Sequence, residues 1–119
     1  MKDLPAVFQD LRTVLASCAE HLDAKKDTDT EFHLDTRYLQ ANGTPLFFGA
    51  VQLRASRVSY HLMPVYLQPA LLDPISPALR KRMPGKSCFN FTARDPALFR
   101  ELAALTQAAR DSYRQQGFI

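Results

Sequence analysis

The segment from residue 46 to residue 91 constrains the fold of this chain more than any other part of the sequence. Its first strand is apolar at both alternating sets of positions, which predicts a central strand covered on both faces. Pro64, which a paired central strand would not tolerate, predicts a bulge, a bend or an edge at the end of the second strand. Ser76 and Pro77 are typical of the cap and first turn of a short helix. The predicted elements are strands at 46–54, 58–62 and 86–92 and a helix at 76–83.

The flanking segments predict two amphipathic helices and one more strand. Apolar residues recur at steps of three and four from Leu4 to Leu22, which predicts a helix over 3–23 with Asp3 as its cap. Residues 27–38 alternate between polar and apolar, the pattern of a half-buried strand, and Asn42 and Gly43 then predict a turn with positive φ. Asp95 and the following proline predict a last helix that ends near residue 116.

These elements, in the order α-β-β-β-α-β-α, predict an α+β fold. The expected architecture is one antiparallel sheet of about four strands with an amphipathic helix at each end of the chain. A chain of 119 residues supports one hydrophobic core, so we expect a single domain over 1–119.

Composition excludes several functional classes. The 15 basic and 12 acidic residues give a formal charge of +3, far from the dense basic surface of a nucleic-acid-binding domain, so nucleic acid is not an expected partner. The two cysteines form no CxxC pair, so no local zinc or redox motif is present. We expect them to be core residues of a protein in a reducing compartment. No apolar run reaches the length of a signal peptide or a membrane span, so a cytoplasmic protein without a membrane partner is predicted. An edge strand near Pro64 leaves monomer and homodimer open.

The segment from Arg57 to Phe91 resembles the YdhG-like family of small domains. The resemblance rests on RVSYHLMP and ISPALRKRMPGKSCFNF, in which a strand, a helix, a Gly-Lys turn and an aromatic strand follow one another. It implies an α+β fold closed by an amphipathic helix, and, because some members are labelled iron chaperones, it implies a role in carrying iron. The residues at the matching positions are Val58, Ser59, Tyr60, His61, Gly85, Lys86, Phe89 and Phe91.

An acidic line along the first predicted strand suggests a cation site. Carboxylates two residues apart on a strand lie roughly 6 to 7 Å apart, and hard cations such as divalent metals prefer oxygen ligands. The alternative is the solvated face of an ordinary half-buried strand. The candidate ligands for iron or another divalent metal are Asp27, Asp29, Glu31, His33 and Asp35.

A groove between the sheet and the helices is the other candidate site. Tyr60 and His61, on opposite faces of one strand, together with Lys86 and Asn90, are the polar residues expected at its wall. Cations near the Gly85 turn could bind a phosphate or a carboxylate, or could simply complement a helix dipole. The cationic residues of this cluster are Arg80, Lys81, Arg82, Lys86 and Arg94.

The sequence therefore predicts a non-enzymatic module that binds a small ligand or a protein partner. No serine nucleophile elbow, P-loop or dinucleotide fingerprint is present, and no cofactor is predicted. A weak carrier of iron or another divalent metal is one alternative. A thiol- or histidine-dependent enzyme at Cys88 or His61 is the other, although no sequence motif pairs these two residues.

Overall fold

The computed structural model describes residues 3–119 and shows one α+β domain. A single turn of 3₁₀ helix spans Pro69–Leu72. The helices are α1 (Leu4–Ala16), α2 (Met63–Leu67), α3 (Pro77–Arg80) and α4 (Pro96–Gln115). The strands are β1 (Asp23–Asp27), β2 (Glu31–Leu39), β3 (Pro45–Leu53), β4 (Val58–Leu62) and β5 (Cys88–Phe91).

The sheet has five antiparallel strands in the order in which they occur in the chain, one more than predicted. The additional strand is β1, whose sequence Asp-Ala-Lys-Lys-Asp lacks any apolar alternation. It lies at the sheet edge and is held by backbone pairing with β2, so its residues need no buried face. The predicted helix over 3–23 is correspondingly shorter, because the chain turns after Ala16 toward β1.

A β-bulge decides which residues of β3 face the core. The register shifts where Leu34 pairs with Gly49 and Asp35 pairs with Phe47, which leaves Phe48 as the extra residue. Phe48 is fully buried, whereas Phe47 lies on the opposite face with its ring 4.7 Å from that of His33. Strand β3 is central, as predicted. Its second face is covered only in part, because Ala50 is buried there whereas Phe47 and Gln52 are partly exposed.

Helices α1 and α4 pack on one face of the sheet and enclose the core. The cap at the start of each is the predicted aspartate, since Asp3 accepts from the amide of Ala6 and Asp95 from the amide of Leu98. Tyr113 of α4 donates to the carbonyl oxygen of Phe47 at 2.8 Å. The core thus joins both ends of the chain to the central strands.

The segment after β4 departs from the sheet at Pro64. Pro64 lies in the first turn of α2, where amide groups make no hydrogen bond within the helix, so the lack of an amide proton costs nothing. Ser76 caps α3 as predicted, but α3 ends at Arg80, and residues 81–87 form a loop that leads into β5. Among residues 3–119, no helix has the length and apolar character needed to cross a membrane.

Candidate functional site

The four residues predicted at a groove wall lie in three different places: the core, the face of the sheet opposite α1 and α4, and the loop before β5, which contains Lys86. Tyr60 is fully buried in the core, where its hydroxyl contacts Thr106 Oγ1 at 2.7 Å. His61 and Asn90 lie on the opposite face of the sheet. Across β4 and β5, His61 pairs with Cys88 and Asn90 pairs with Ser59. The prediction that Tyr60 lines a groove therefore needs correction, because its side chain has no access to a ligand.

The face of the sheet opposite α1 and α4 carries a connected set of polar side chains. Ser59 Oγ donates to Asn90 Oδ1 at 3.0 Å, and Cys88 Sγ lies 3.8 Å from the same oxygen. Cys88 Sγ also lies 3.9 Å from His61 Nε2. Strand pairing has thus brought a thiol and an imidazole together that are 27 residues apart in the sequence.

The electrostatics of this pair keep both groups neutral near neutral pH. Burial raises the pKa of the Cys88 thiol above its usual value, and the charge of Arg57 opposes this only in part. Burial also lowers the pKa of the His61 imidazole, and the positive charge of Arg54 adds to that shift. A nucleophilic cysteine needs a thiolate beside an imidazolium, so these shifts give no support to a thiol-dependent enzyme.

We expect His61 to make the stability of the protein depend on pH. Below its ordinary pKa of 6.5, the imidazole is protonated in the unfolded chain before it is protonated in the folded chain. The unfolded state then binds more protons, so the free energy of unfolding falls as the pH falls from 6.5 toward the lowered folded pKa. The variant His61→Gln should lose less stability than the wild type between pH 7 and pH 5 in urea unfolding.

His21 provides the control for this measurement because its side chain is exposed. The variant His21→Gln should keep the pH dependence of the wild type. Equal pH dependence in the wild type and in His61→Gln would contradict the assignment to His61.

The predicted acidic line is divided between two strands and a turn. Asp27 ends β1 and accepts three hydrogen bonds from Arg12 of α1, at 2.8, 2.9 and 3.2 Å. Asp29 lies in the turn that follows. Glu31 accepts a hydrogen bond from the side-chain amide of Gln52, and Asp35 Oδ1 lies 2.7 Å from His33 Nε2. Among residues 3–119, no group of three or more such side chains converges on one point where a metal ion could bind. The five predicted ligands therefore do not form one site, because the hairpin at residues 28–30 separates them.

A cavity of about 600 Å³ lies between α2, the 3₁₀ turn and the loop before β5. Its size lies within the range of small-molecule sites, and its wall is mostly apolar with a few polar groups. Val65 and Leu72, both buried, belong to this wall. The lining residues are Val65, Tyr66, Pro69, Leu72, Arg80, Met83, Gly85 and Lys86.

Two cations line this cavity without an acidic partner. Arg80 donates one hydrogen bond to the carbonyl oxygen of Leu72 at 2.8 Å, which holds the guanidinium at the cavity wall. Within the described part of the chain, neither Arg80 nor Lys86 lies within 4.0 Å of a carboxylate oxygen. The remaining donors of Arg80 and the ammonium of Lys86 are therefore available to an anion.

The predicted basic cluster is split between different surfaces. Only Arg80 and Lys86 line the apolar cavity, whereas Lys81 and Arg82 lie on the other side of the loop. Arg94 forms an ion pair with Asp10 of α1 at 2.7 Å. Sequence analysis identified Lys86 and Arg80 but missed Val65, Tyr66 and Leu72, whose only sequence signal is their place in a proline-rich segment.

Comparisons with known proteins assign no family. A scan against protein-family models, a search of curated proteins and a search of solved structures each returned no match. The resemblance to the YdhG-like family stays a prediction.

Proposed function

We propose that this protein binds a small molecule with an apolar body and one carboxylate group in the cavity beside α2. The observation that carries the proposal is the pairing of an apolar wall with two cations, Arg80 and Lys86, that have no carboxylate partner. The apolar body would pack against Val65, Leu72 and Met83. The carboxylate would accept hydrogen bonds from Arg80, whose planar guanidinium matches the geometry of a carboxylate.

The shape of the site supports a small ligand over a protein partner. Stable protein interfaces bury roughly 800 Å² on each partner, whereas this site is a concave cavity of about 600 Å³ bounded by a few residues. Tyr66 lies at the cavity with half of its side chain exposed, where its hydroxyl can remain in contact with water. A neutral ligand would leave both cations without a partner.

The test is a titration with octanoate, which has the proposed chemistry, followed by ¹H–¹⁵N NMR and by thermal unfolding. We expect saturable shifts of the amides of Val65, Leu72 and Lys86. At one hundred times its dissociation constant, octanoate should add about 2.7 kcal/mol to the free energy of unfolding, which corresponds to several degrees in Tm. The variant Arg80→Ala should weaken binding by about tenfold or more, because a charge-assisted hydrogen bond contributes about 1.5–3 kcal/mol.

Matched ligands and a matched variant test the role of charge. Octylamine has the same chain with the opposite charge and should bind far more weakly than octanoate. Arg100→Ala removes an exposed arginine of α4, outside the cavity lining, and should leave the affinity unchanged. Equal binding of octylamine and octanoate, or equal losses in Arg80→Ala and Arg100→Ala, would show that the proposal is wrong.

A further inference from the structure

A second cavity lies on the other side of the loop between α3 and β5. It has a volume of about 350 Å³, and Met83 contributes to its wall as well as to the wall of the apolar cavity. Most of its lining residues are polar or cationic, and they come from the β3–β4 turn, the loop and the end of β5. These polar residues are Ser56, Arg57, Lys81, Arg82, Asn90 and Thr92.

Three cations meet at this cavity, and its lining contains no carboxylate. Within residues 3–119, no carboxylate oxygen lies within 4.0 Å of Arg57, Lys81 or Arg82. Asp95 borders an adjacent depression that Lys81 and Arg82 also line. Asp95 Oδ1 already accepts a hydrogen bond as the cap of α4. The lining of the cavity therefore carries three positively charged side chains and no negatively charged one.

Asn90, which lines the same cavity, has an amide that can supply a neutral donor. Its Oδ1 accepts from Ser59 Oγ and lies within reach of Cys88 Sγ, on the polar face of the sheet. The oxygen of the amide is therefore occupied, and its Nδ2 is the group left to donate toward a ligand. The described hydrogen bonds give no partner to the hydroxyls of Ser56 and Thr92, which can also donate. The cavity thus offers many donors and no charged acceptor.

We propose that this second cavity binds the phosphate group of a small phosphorylated molecule. A phosphate carries about −1.5 to −2 charges at pH 7 and offers only acceptor oxygens, which matches three cations and a neutral amide donor. A carboxylate, with one charge, would leave the cations less well neutralised. The two arginines supply the bidentate donors that phosphate recognition favours.

A nucleic-acid backbone fits this surface less well than a small phosphate. From Asn90 the paired residues across the sheet are Ser59, then Gln52, then Glu31. Strands lie about 4.8 Å apart, so a polyanion that crosses the sheet would meet the Glu31 carboxylate after about 14 Å. The proposal does not rest on the apolar cavity, and either site could be disproved without the other.

The test is a titration of the whole chain with inorganic phosphate, followed by ¹H–¹⁵N NMR at constant ionic strength. We expect saturable shifts of the amides of Arg57, Asn90 and Thr92. Arg57→Ala and Arg82→Ala should each weaken binding by about tenfold, and Arg100→Ala should leave it unchanged. All three arginines are exposed, so these substitutions remove charge without opening the core.

Acetate and a short single-stranded RNA complete the experiment. Acetate at the same ionic strength should produce no saturable shift of these amides, and RNA should bind no more tightly than phosphate. No saturation with phosphate, equal shifts with acetate, or equal losses in all three arginine variants would overturn the proposal. Binding of RNA alone, with an affinity that falls steeply with salt, would overturn it in favour of a nucleic-acid surface.

Discussion

Replacing Tyr60 with alanine should lower the free energy of unfolding by about 3–5 kcal/mol, the range measured for large buried aromatic residues. Tyr60 has no exposed surface and is among the largest fully buried side chains in the protein. Since a domain is commonly stable by only about 5–15 kcal/mol, this substitution should remove a large share of the total. Urea unfolding of the wild type and Tyr60→Ala, followed by circular dichroism, would measure the loss.

The variant Tyr60→Phe separates the ring from its hydroxyl. Thr106 Oγ1 donates to the carbonyl oxygen of Leu102 at 2.8 Å, so the hydroxyl of Tyr60 is the donor in its contact with Thr106. Loss of this one hydrogen bond should cost about 0.5–1.5 kcal/mol. Because the ring lies in the core, Tyr60→Phe should also bind octanoate with the affinity of the wild type. A loss in Tyr60→Ala no larger than that in Tyr60→Phe would contradict the place of this residue in the core.

Replacing Gly49 with alanine should destabilise the protein by about 1–3 kcal/mol, because the site has no room for one more carbon. A Cβ atom at Gly49 would lie 2.8 Å from the carbonyl oxygen of His61 on β4. It would also lie 3.1 Å from a methyl group of Leu15, so helix α1 approaches the sheet closely at this glycine. The measurement is again urea unfolding, in which the midpoint concentration should fall while the m-value stays unchanged.

Gly85 allows the same substitution without the same contacts. A Cβ atom there would meet nothing within 4 Å, and its φ lies outside the left-handed region. Gly85→Ala should therefore leave the stability unchanged or raise it by up to about 1 kcal/mol, since alanine restricts the unfolded chain. If both substitutions shifted the midpoint by the same amount, close packing at Gly49 would not be the cause.

The two candidate cavities could be predicted from the sequence only in part. The cationic segment around Gly85 was evident from residues 80–86, and an anion was one of its expected ligands. The sequence does not indicate that α3 ends at Arg80 and that the following loop directs Arg80 and Lys86 to one cavity and Lys81 and Arg82 to another. Arg57, on the β3–β4 turn, reaches the second cavity only through strand pairing.

The sequence by itself determined the local elements. The apolar spacing of α1 and α4, their aspartate caps, the alternation within β2 and the positive φ of Gly43 all depend on neighbours within a few residues. Such preferences act over one turn of helix or a few residues of strand, so they can be read without knowledge of the rest of the chain.

The tertiary structure alone decided the strand β1, the bulge at Phe48 and the contact between Cys88 and His61. It also divided the acidic residues, with Asp27 directed to Arg12 and Glu31 to the polar face of the sheet. The physical reason is that pairing register and helix packing depend on contacts between residues far apart in sequence. A shift of one residue in register moves a side chain to the other face of the sheet, and only the packed core selects one register.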